Sequence, residues 1–197
     1  MINKENHTLG KSSDQGTSFF FGHEKQINFL LDRIKTCQIP NAWLFHGPMG
    51  VGKASLALNL GKVLSNINFL KKDLIEGISE EDIRNPKTKI NVNNIFYCRR
   101  KWDDKKKLFQ KNISIEDIRE LNKKFFLSST DNAYKVCIVD TTEDLNISAS
   151  NSLLKVLEEP PKNTLFILIS NNQQSILPTI VSRCQKIGFQ GLNEKDL

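Results

Sequence analysis

The stretch Gly47-Pro-Met-Gly-Val-Gly-Lys53 decides the fold, because it fits the pattern G-x-x-x-x-G-K. The apolar run 42–46 before it predicts a buried strand, and apolar residues at helical spacing after Lys53 predict a helix. Between a strand and a helix, glycines let backbone N–H groups turn inward around phosphate oxygens, and the amino end of the helix adds its dipole. Lys53 would reach the terminal phosphates. The sequence therefore predicts a phosphate-binding loop.

Strands and helices continue to alternate beyond this loop. Apolar runs predict buried strands over 135–140 and 164–169, and the first of them is a parallel strand that ends in Asp140. A last short strand is predicted over 186–189. Helices are predicted over 24–35 and 148–159, from Ser114 onward, and, as short helices, behind a Ser79 cap and within 177–184. This alternation is typical of an α/β fold, a doubly wound parallel sheet with helices on both faces.

The residue that follows Lys53 is unsuited to ATP hydrolysis. A hydroxyl belongs there to ligate Mg²⁺, but the chain has Ala54. Ser55 comes one residue later and is rotated by about 100° around the helix, so its oxygen does not replace the missing one. We expect Ser55 to touch an inner phosphate instead.

The end of the acidic strand has a second defect. Asp140 can hold the magnesium shell, but hydrolysis also needs an adjacent acid to polarise the attacking water, and the next residue is Thr141. Glu143 and Asp144 follow at positions that we interpret as capping charges, directed away from the site. Together with Ala54, this predicts a loop that binds nucleotide weakly and hydrolyses it poorly or not at all.

The composition is that of an ordinary globular protein, with 39% hydrophobic and 25% charged residues in a chain of 197. No apolar run approaches the about 18 residues of a membrane helix, and the polar start is unlike a signal peptide, so we expect a cytoplasmic protein. No two of the four cysteines have the spacing of a metal knuckle, so no metal site is predicted. The charged run 99–107 predicts a solvated hairpin tip, with a nucleic-acid contact as the alternative.

Several motifs resemble the clamp-loader branch of the AAA+ ATPases. They are Phe21-Gly-His-Glu24, Gly47–Ala54, Asn151-Ser-Leu-Leu-Lys-Val-Leu-Glu-Glu-Pro-Pro161 and Ser182-Arg-Cys184. The last two are specific to bacterial clamp-loader subunits, and the resemblance spans residues 19–190. It implies an AAA+ P-loop core within a pentameric ring that opens the sliding clamp and places it on primed DNA. The implied partners are the gamma/tau and delta subunits, the clamp and the DNA, with no membrane.

The resemblance also implies roles for individual residues. Arg183 would be an arginine finger that reaches the nucleotide of a neighbouring ATPase subunit, with Ser182 and Cys184 holding its turn. Asn171 falls at the sensor position, with Ser170 as the nearby alternative. The residues of the degenerate nucleotide site would be Gly47, Gly50, Gly52, Lys53, Ala54, Ser55 and Asp140.

The family pattern sets expectations for the domains and cofactors as well. Residues 1–18 are predicted to be a flexible tail, 19–190 the core, and 191–197 the start of a linker, with no lid or collar domain in this chain. Many relatives carry a four-cysteine zinc module after the loop helix, but only Cys98 lies there. No cofactor is required and no zinc is expected, although weak ATP or ADP binding is compatible. The alternatives are an active gamma/tau-like ATPase and another P-loop protein, such as a helicase loader or a small kinase.

Overall fold

A computed structural model describes residues 20–66, 72–87, 94–127 and 134–191. The predicted tail 1–18, the linker residues 192–197 and a strand-like alternation at 90–93 lie outside these ranges. No helix in the described part of the chain is long and apolar enough to cross a membrane.

The elements alternate as the sequence predicts. The helices are α1 (Glu24–Lys35), α2 (Lys53–Asn66), α3 (Lys72–Glu76), α4 (Glu80–Arg84), α5 (Ile115–Leu127), α6 (Ile147–Glu158) and α7 (Pro178–Val181). The strands are β1 (Ala42–His46), β2 (Ile95–Cys98), β3 (Trp102–Asp103), β4 (Leu108–Phe109), β5 (Lys135–Asp140), β6 (Thr164–Ser170) and β7 (Gln185–Gly188). Ser79 caps α4 in a reciprocal capping box with Asp82.

Five strands form one parallel sheet in the order β2-β5-β6-β1-β7. In this register Asp140 pairs with Ile169, and His46 pairs with Ser170. The carboxyl ends of β1, β5 and β6 therefore meet at one edge of the sheet. That edge is where ligands bind in open α/β sheets.

Apolar side chains cover both faces of the sheet, which confirms the predicted fold class. One core cluster joins α1, α2 and α4 to one face, with Trp43, Leu60 and Ile167 among its members. The other joins α5, α6 and α7 to the opposite face, around Phe125 and Phe166. Because both faces are covered, β6 is buried along its whole length.

The sequence did not predict β2. This four-residue strand is the outermost strand of the sheet and pairs with β5. The antiparallel pair β3–β4 confirms the predicted hairpin in the charged run, with its turn at 104–107. Asp103 Oδ1 accepts hydrogen bonds from the N–H groups of Lys105 and Lys106, which shapes this turn.

Candidate functional site

The loop between β1 and α2 has the backbone that its glycines predict. Gly47, Gly50 and Gly52 have φ values of 147°, 85° and 93°, a region that other residues rarely adopt. A Cβ at Gly47 would lie 2.2 Å from the carbonyl oxygen of Phe189, and one at Gly52 would lie 2.6 Å from a ring carbon of Phe20. All three glycines are thus required by conformation, and two of them also by close packing.

The Lys53 side chain lies beneath the loop and is only 4% exposed. Its Nζ donates to the carbonyl oxygens of Gly47 at 2.8 Å and Pro48 at 2.6 Å, and to Asn171 Oδ1 at 3.0 Å. Burial lowers the pKa of Lys53, against the opposing effect of the carboxylates of Glu143 and Asp140. The ammonium therefore holds the loop to the end of β6 and faces an acidic neighbourhood.

Asp140 ends β5 at this same edge, where Tyr97 of β2 donates its hydroxyl proton to the Asp140 Oδ2 atom. Burial and this hydrogen bond raise the pKa of Tyr97, so the phenol keeps its proton. One of the two carboxylate oxygens of Asp140 thus accepts a hydrogen bond from a phenol. The sequence reasoning did not find Tyr97, which lies 43 residues away in the chain.

The two positions identified as defective keep that character in the structure. Ala54 is a partly buried residue of the first turn of α2 that packs against the core, and Ser55 beside it is exposed. Thr141 has a left-handed backbone with φ 69°, at the point where β5 passes into a short 3-10 helix. Neither Ala54 nor Thr141 offers an acid or a metal-ligating hydroxyl in the pattern that hydrolysis requires.

The interpretation of Glu143 as a charge directed away from the site is wrong. Its Oε1 accepts hydrogen bonds from the backbone N–H groups of Asn171 at 2.8 Å and Asn172 at 3.2 Å. Its Oε2 is buried and has no hydrogen-bond partner in the described part of the chain. No sequence signal marked this position, because Glu143 lies in a short 3-10 helix, Thr142–Asp144, that no sequence pattern predicted. Asp144 instead forms an ion pair with Arg100 at 2.8 Å.

The segment before α1 packs against the phosphate loop. The Nε2 atom of His23 lies 2.9 Å from the carbonyl oxygen of Val51, and the His23 ring stacks on Phe20. Arg84 donates to the carbonyl oxygens of Phe20 at 2.8 Å and Gly22 at 3.0 Å. This segment contains the start of the Phe21–Glu24 motif, and α4 anchors it beside the loop.

Arg183 lies at the opposite end of the strands, the amino end of the parallel sheet. It precedes β7, whose first residue Gln185 pairs with Trp43 near the beginning of β1. The five residues of β1 span roughly 16 Å at about 3.3 Å per residue, so the guanidinium cannot reach a phosphate held by Lys53 of the same chain. Its Nη2 atom lies 2.7 Å from Glu158 Oε1, and its Nη1 atom donates to the carbonyl oxygen of Thr179 at 2.9 Å.

The neighbours of Arg183 hold the turn from α7 to β7. The hydroxyl of Ser182 donates to the carbonyl oxygen of Thr179 at 3.0 Å, and the thiol of Cys184 to that of Ile180 at 3.2 Å. Burial raises the pKa of Cys184 to about 12, so its thiol stays protonated and can donate. The three residues of the motif thus form one compact turn with an exposed arginine.

The predicted site residues therefore fall into two groups. One group lies at the carboxyl ends of the strands and consists of the loop residues with Lys53, Asp140 and Asn171. The other lies at the amino ends and consists of Ser182, Arg183 and Cys184. Ser170, the alternative to Asn171, is fully buried at the end of β6. Across the described residues no cluster of three or more potential metal ligands occurs.

Comparisons with known proteins identify the family of the chain. A family described as "DNA polymerase III, delta subunit" matches residues 22–193. The chain is 32% identical over 173 residues to DNA polymerase III subunit delta' of Bacillus subtilis (strain 168), covering 86% of this chain and 48% of that protein. It is 29% identical over 174 residues to subunit tau of the same organism, covering 88% of this chain and 29% of that protein.

The fold has solved neighbours as well. A gamma subunit-related protein from Thermotoga maritima superimposes with a TM-score of 0.60 at 21% identity, over 86% of this chain and 47% of that one. The likeness at this identity supports the AAA+ fold alone. The chain spans about half the length of the delta' relative and of the gamma subunit-related protein, and 29% of the length of the tau relative. Since the family match extends over most of its residues, the chain belongs to the DNA polymerase III delta-subunit family, within the clamp-loader branch of the AAA+ proteins.

Proposed function

We propose that this chain is the nucleotide-binding-type core of a delta-prime-like subunit of the DNA polymerase III clamp loader. In this role it does not hydrolyse ATP itself. It assembles with gamma/tau and delta subunits, helps to place the sliding clamp on primed DNA, and supplies Arg183 to the ATP site of a neighbouring subunit. The single observation that carries the proposal is that the phosphate site has no hydroxyl at Ala54 and no acid at Thr141.

Hydrolysis of a nucleotide needs a metal clamp on the phosphates and a group that orients the attacking water. At this site Ala54 offers no hydroxyl to Mg²⁺, and the carboxylate of Asp140 is engaged by Tyr97. Thr141 stands where the water-polarising acid belongs. The loop and Lys53 remain able to contact phosphate, so the arrangement supports weak nucleotide binding without turnover.

The position of Arg183 supports a role in trans. It lies at the edge of the sheet opposite to the phosphate loop of its own chain, and its side chain is partly exposed. An arginine that cannot reach its own nucleotide but projects from a compact turn can contact a nucleotide held by an adjacent subunit. Such a guanidinium would stabilise the charge that develops on the transferring phosphate.

One observation favours a second candidate function, an active gamma/tau-like ATPase. Glu143 lies in the site and keeps a buried Oε2 atom without a hydrogen-bond partner among the described residues. If Asp140 were released from Tyr97, Glu143 could act as the acid that Thr141 does not provide. The missing hydroxyl at Ala54 would still weaken the metal site, so we rank this function below the first.

A steady-state ATPase assay of the purified protein separates the two candidates. We expect no turnover above that of a Lys53→Ala variant, which removes the phosphate-binding ammonium and is purified in the same way. Turnover well above that of the Lys53→Ala variant, abolished by Glu143→Gln as well, would establish the ATPase instead. Co-purification with gamma/tau and delta subunits from cells tests the assembly part independently.

A further inference from the structure

The hairpin formed by β3 and β4 exposes a pair of aromatic rings. Trp102 and Phe109 are cross-strand partners whose ring centroids lie 5.0 Å apart, and they are 48% and 49% exposed. Leu108 beside them is 51% exposed. Trp43, the other tryptophan of the chain, is fully buried. The hairpin thus presents apolar surface that the core does not use.

Positive charge is concentrated on the same segment, residues 99–111, which we call the basic hairpin. It contains seven lysines and arginines and two aspartates, so it carries five of the six net positive charges of the whole chain. Lys105 and Lys107 lie in the turn and have no ion-pair partner in the described part of the protein. Most of the net positive charge of the chain therefore lies in this segment, where Arg100 and Lys101 are paired with acidic residues outside it.

The base of the basic hairpin is fixed to the domain, and its tip is not used by the fold. Lys101 forms an ion pair with Asp117 of α5 at 2.6 Å, and its carbonyl oxygen accepts a hydrogen bond from the N–H group of Gln110 at 2.8 Å. Arg100 is anchored to Asp144. The rings and the tip lysines lie beyond these anchors. A structural role accounts for the base, but it does not account for two exposed aromatic residues beside these lysines.

We propose that the basic hairpin binds single-stranded DNA, with bases stacking on Trp102 and Phe109 and phosphates contacting Lys105 and Lys107. Stacking on aromatic rings next to a cationic track is the way in which proteins hold single strands without sequence preference. A duplex would satisfy the lysines but not the rings, because its base faces are already stacked. A purely acidic protein segment, without apolar side chains, would likewise leave the rings without a partner, and competition by polyglutamate tests for one.

The proposal concerns a site distinct from the phosphate loop. DNA is the expected nucleic acid because the chain belongs to a DNA polymerase III family. The choice of DNA rests on the proposed clamp-loader role, to which the basic hairpin would add a DNA contact. The test involves neither ATP hydrolysis nor subunit assembly. DNA binding by the basic hairpin can therefore fail while the proposed function stands, and the proposed function can fail while the hairpin binds DNA.

The experiment measures binding of a fluorescently labelled oligo-dT of about 12 nucleotides to the whole chain by anisotropy, within the usual site sizes for such proteins. We expect Trp102→Ala to weaken binding at least about fivefold, and Trp102→Phe to preserve most of it, because the ring is what stacks. Quenching of tryptophan fluorescence by oligo-dT should occur in the unmodified protein and be lost in Trp102→Phe, since Trp43 is buried.

A charge-reversal pair tests the lysines independently of the rings. Lys105→Glu/Lys107→Glu should weaken binding and make it less dependent on salt, by about 0.7 in the log–log slope for each phosphate that the protein no longer neutralises. The matched control is Lys25→Glu/Lys162→Glu, which reverses two exposed lysines outside the hairpin and changes the total charge equally. We expect the control to bind oligo-dT almost as the unmodified protein does.

The proposal is overturned by any of four results. They are absence of oligo-dT binding, equal weakening by the control pair, unchanged binding in a Trp102→Ala protein that keeps its melting temperature, and competition by polyglutamate as effective as that by oligo-dT. Tighter binding of oligo-U than of oligo-dT would overturn the assignment to DNA.

Discussion

Replacing Arg183 with alanine distinguishes a trans-acting arginine from a surface residue that serves only its own fold. In the structure the guanidinium has two partners, the carboxylate of Glu158 and the carbonyl oxygen of Thr179. The side chains of Arg183 and Glu158 are 37% and 44% exposed, so water screens their ion pair strongly. Exposed pairs of this kind contribute about 0–1 kcal/mol to stability.

The two interpretations therefore predict effects of very different size. If Arg183 is structural, the substitution should lower the melting temperature by no more than about 4 °C and should leave ATP hydrolysis by the assembly unchanged. If Arg183 acts as a finger, the same small change in stability should accompany a loss at the adjoining ATP site. Arginine fingers in well-studied NTPases contribute about 10³–10⁵ in rate. The loss in overall hydrolysis would be smaller where other sites remain active.

The assay measures clamp- and DNA-stimulated ATP hydrolysis by the assembled complex, with every motor site disabled except the one facing Arg183. The complete subunit carries Arg183→Ala, Arg183→Lys or, as the matched control, Glu158→Gln. We expect Arg183→Lys to restore little activity, because an ammonium cannot present the planar fork of a guanidinium. Glu158→Gln removes the ion pair but keeps the arginine, so it should retain most activity. Equal hydrolysis with arginine and with alanine at position 183, in complexes that assemble equally, would refute the finger.

Three further predictions follow from the contacts of the described residues. Gly47→Ala should lower the free energy of unfolding by more than about 1 kcal/mol in chemical denaturation, because the new Cβ would lie 2.2 Å from the carbonyl oxygen of Phe189. An unchanged denaturation midpoint would show that the loop can relax. Burial raises the pKa of Asp117, but the hydrogen bonds from Lys101 and Ser114 outweigh it and leave this pKa below its usual value. The stabilisation from Asp117 is therefore present above pH about 4 and is lost as the pH falls through the lowered pKa, and Asp117→Asn should flatten this acid limb of a stability–pH curve. Metal analysis after dialysis should find no stoichiometric zinc, because a structural zinc site needs four ligands and Cys98 is the only cysteine or histidine between α2 and β5; one equivalent of zinc would contradict this.

The core strands were predictable because they are continuous apolar runs with clear turn signals around them. Strand β2 was not, because the strand-like alternation in this region falls at 90–93, before the four residues of β2, and its partner β5 lies about 40 residues later. Glu143 was misjudged for a related reason. Its distance from Asp140 in the sequence did not indicate that a 3-10 turn would bring it back to the site.

The residue identities alone determine the phosphate loop and its defects. A strand, a glycine-rich turn and a helix in direct succession form a local unit, and its geometry depends little on the rest of the chain. The absence of a hydroxyl at Ala54 and of an acid at Thr141 can likewise be read from the sequence. These features predict where phosphate would bind and why it would not be hydrolysed.

The pairing of groups from distant segments depends on the tertiary structure. Tyr97 meets Asp140 across 43 residues, and Lys53 meets Asn171 across 118 residues. Periodicity shows which side of a strand is buried, but it does not show which strands become neighbours. That order depends on how the helices pack on both faces of the sheet. Arg183 precedes β7, which runs parallel to β1, so it lies at the amino end of the strands, away from its own loop. Its partner nucleotide must therefore belong to another subunit if the residue acts as a finger.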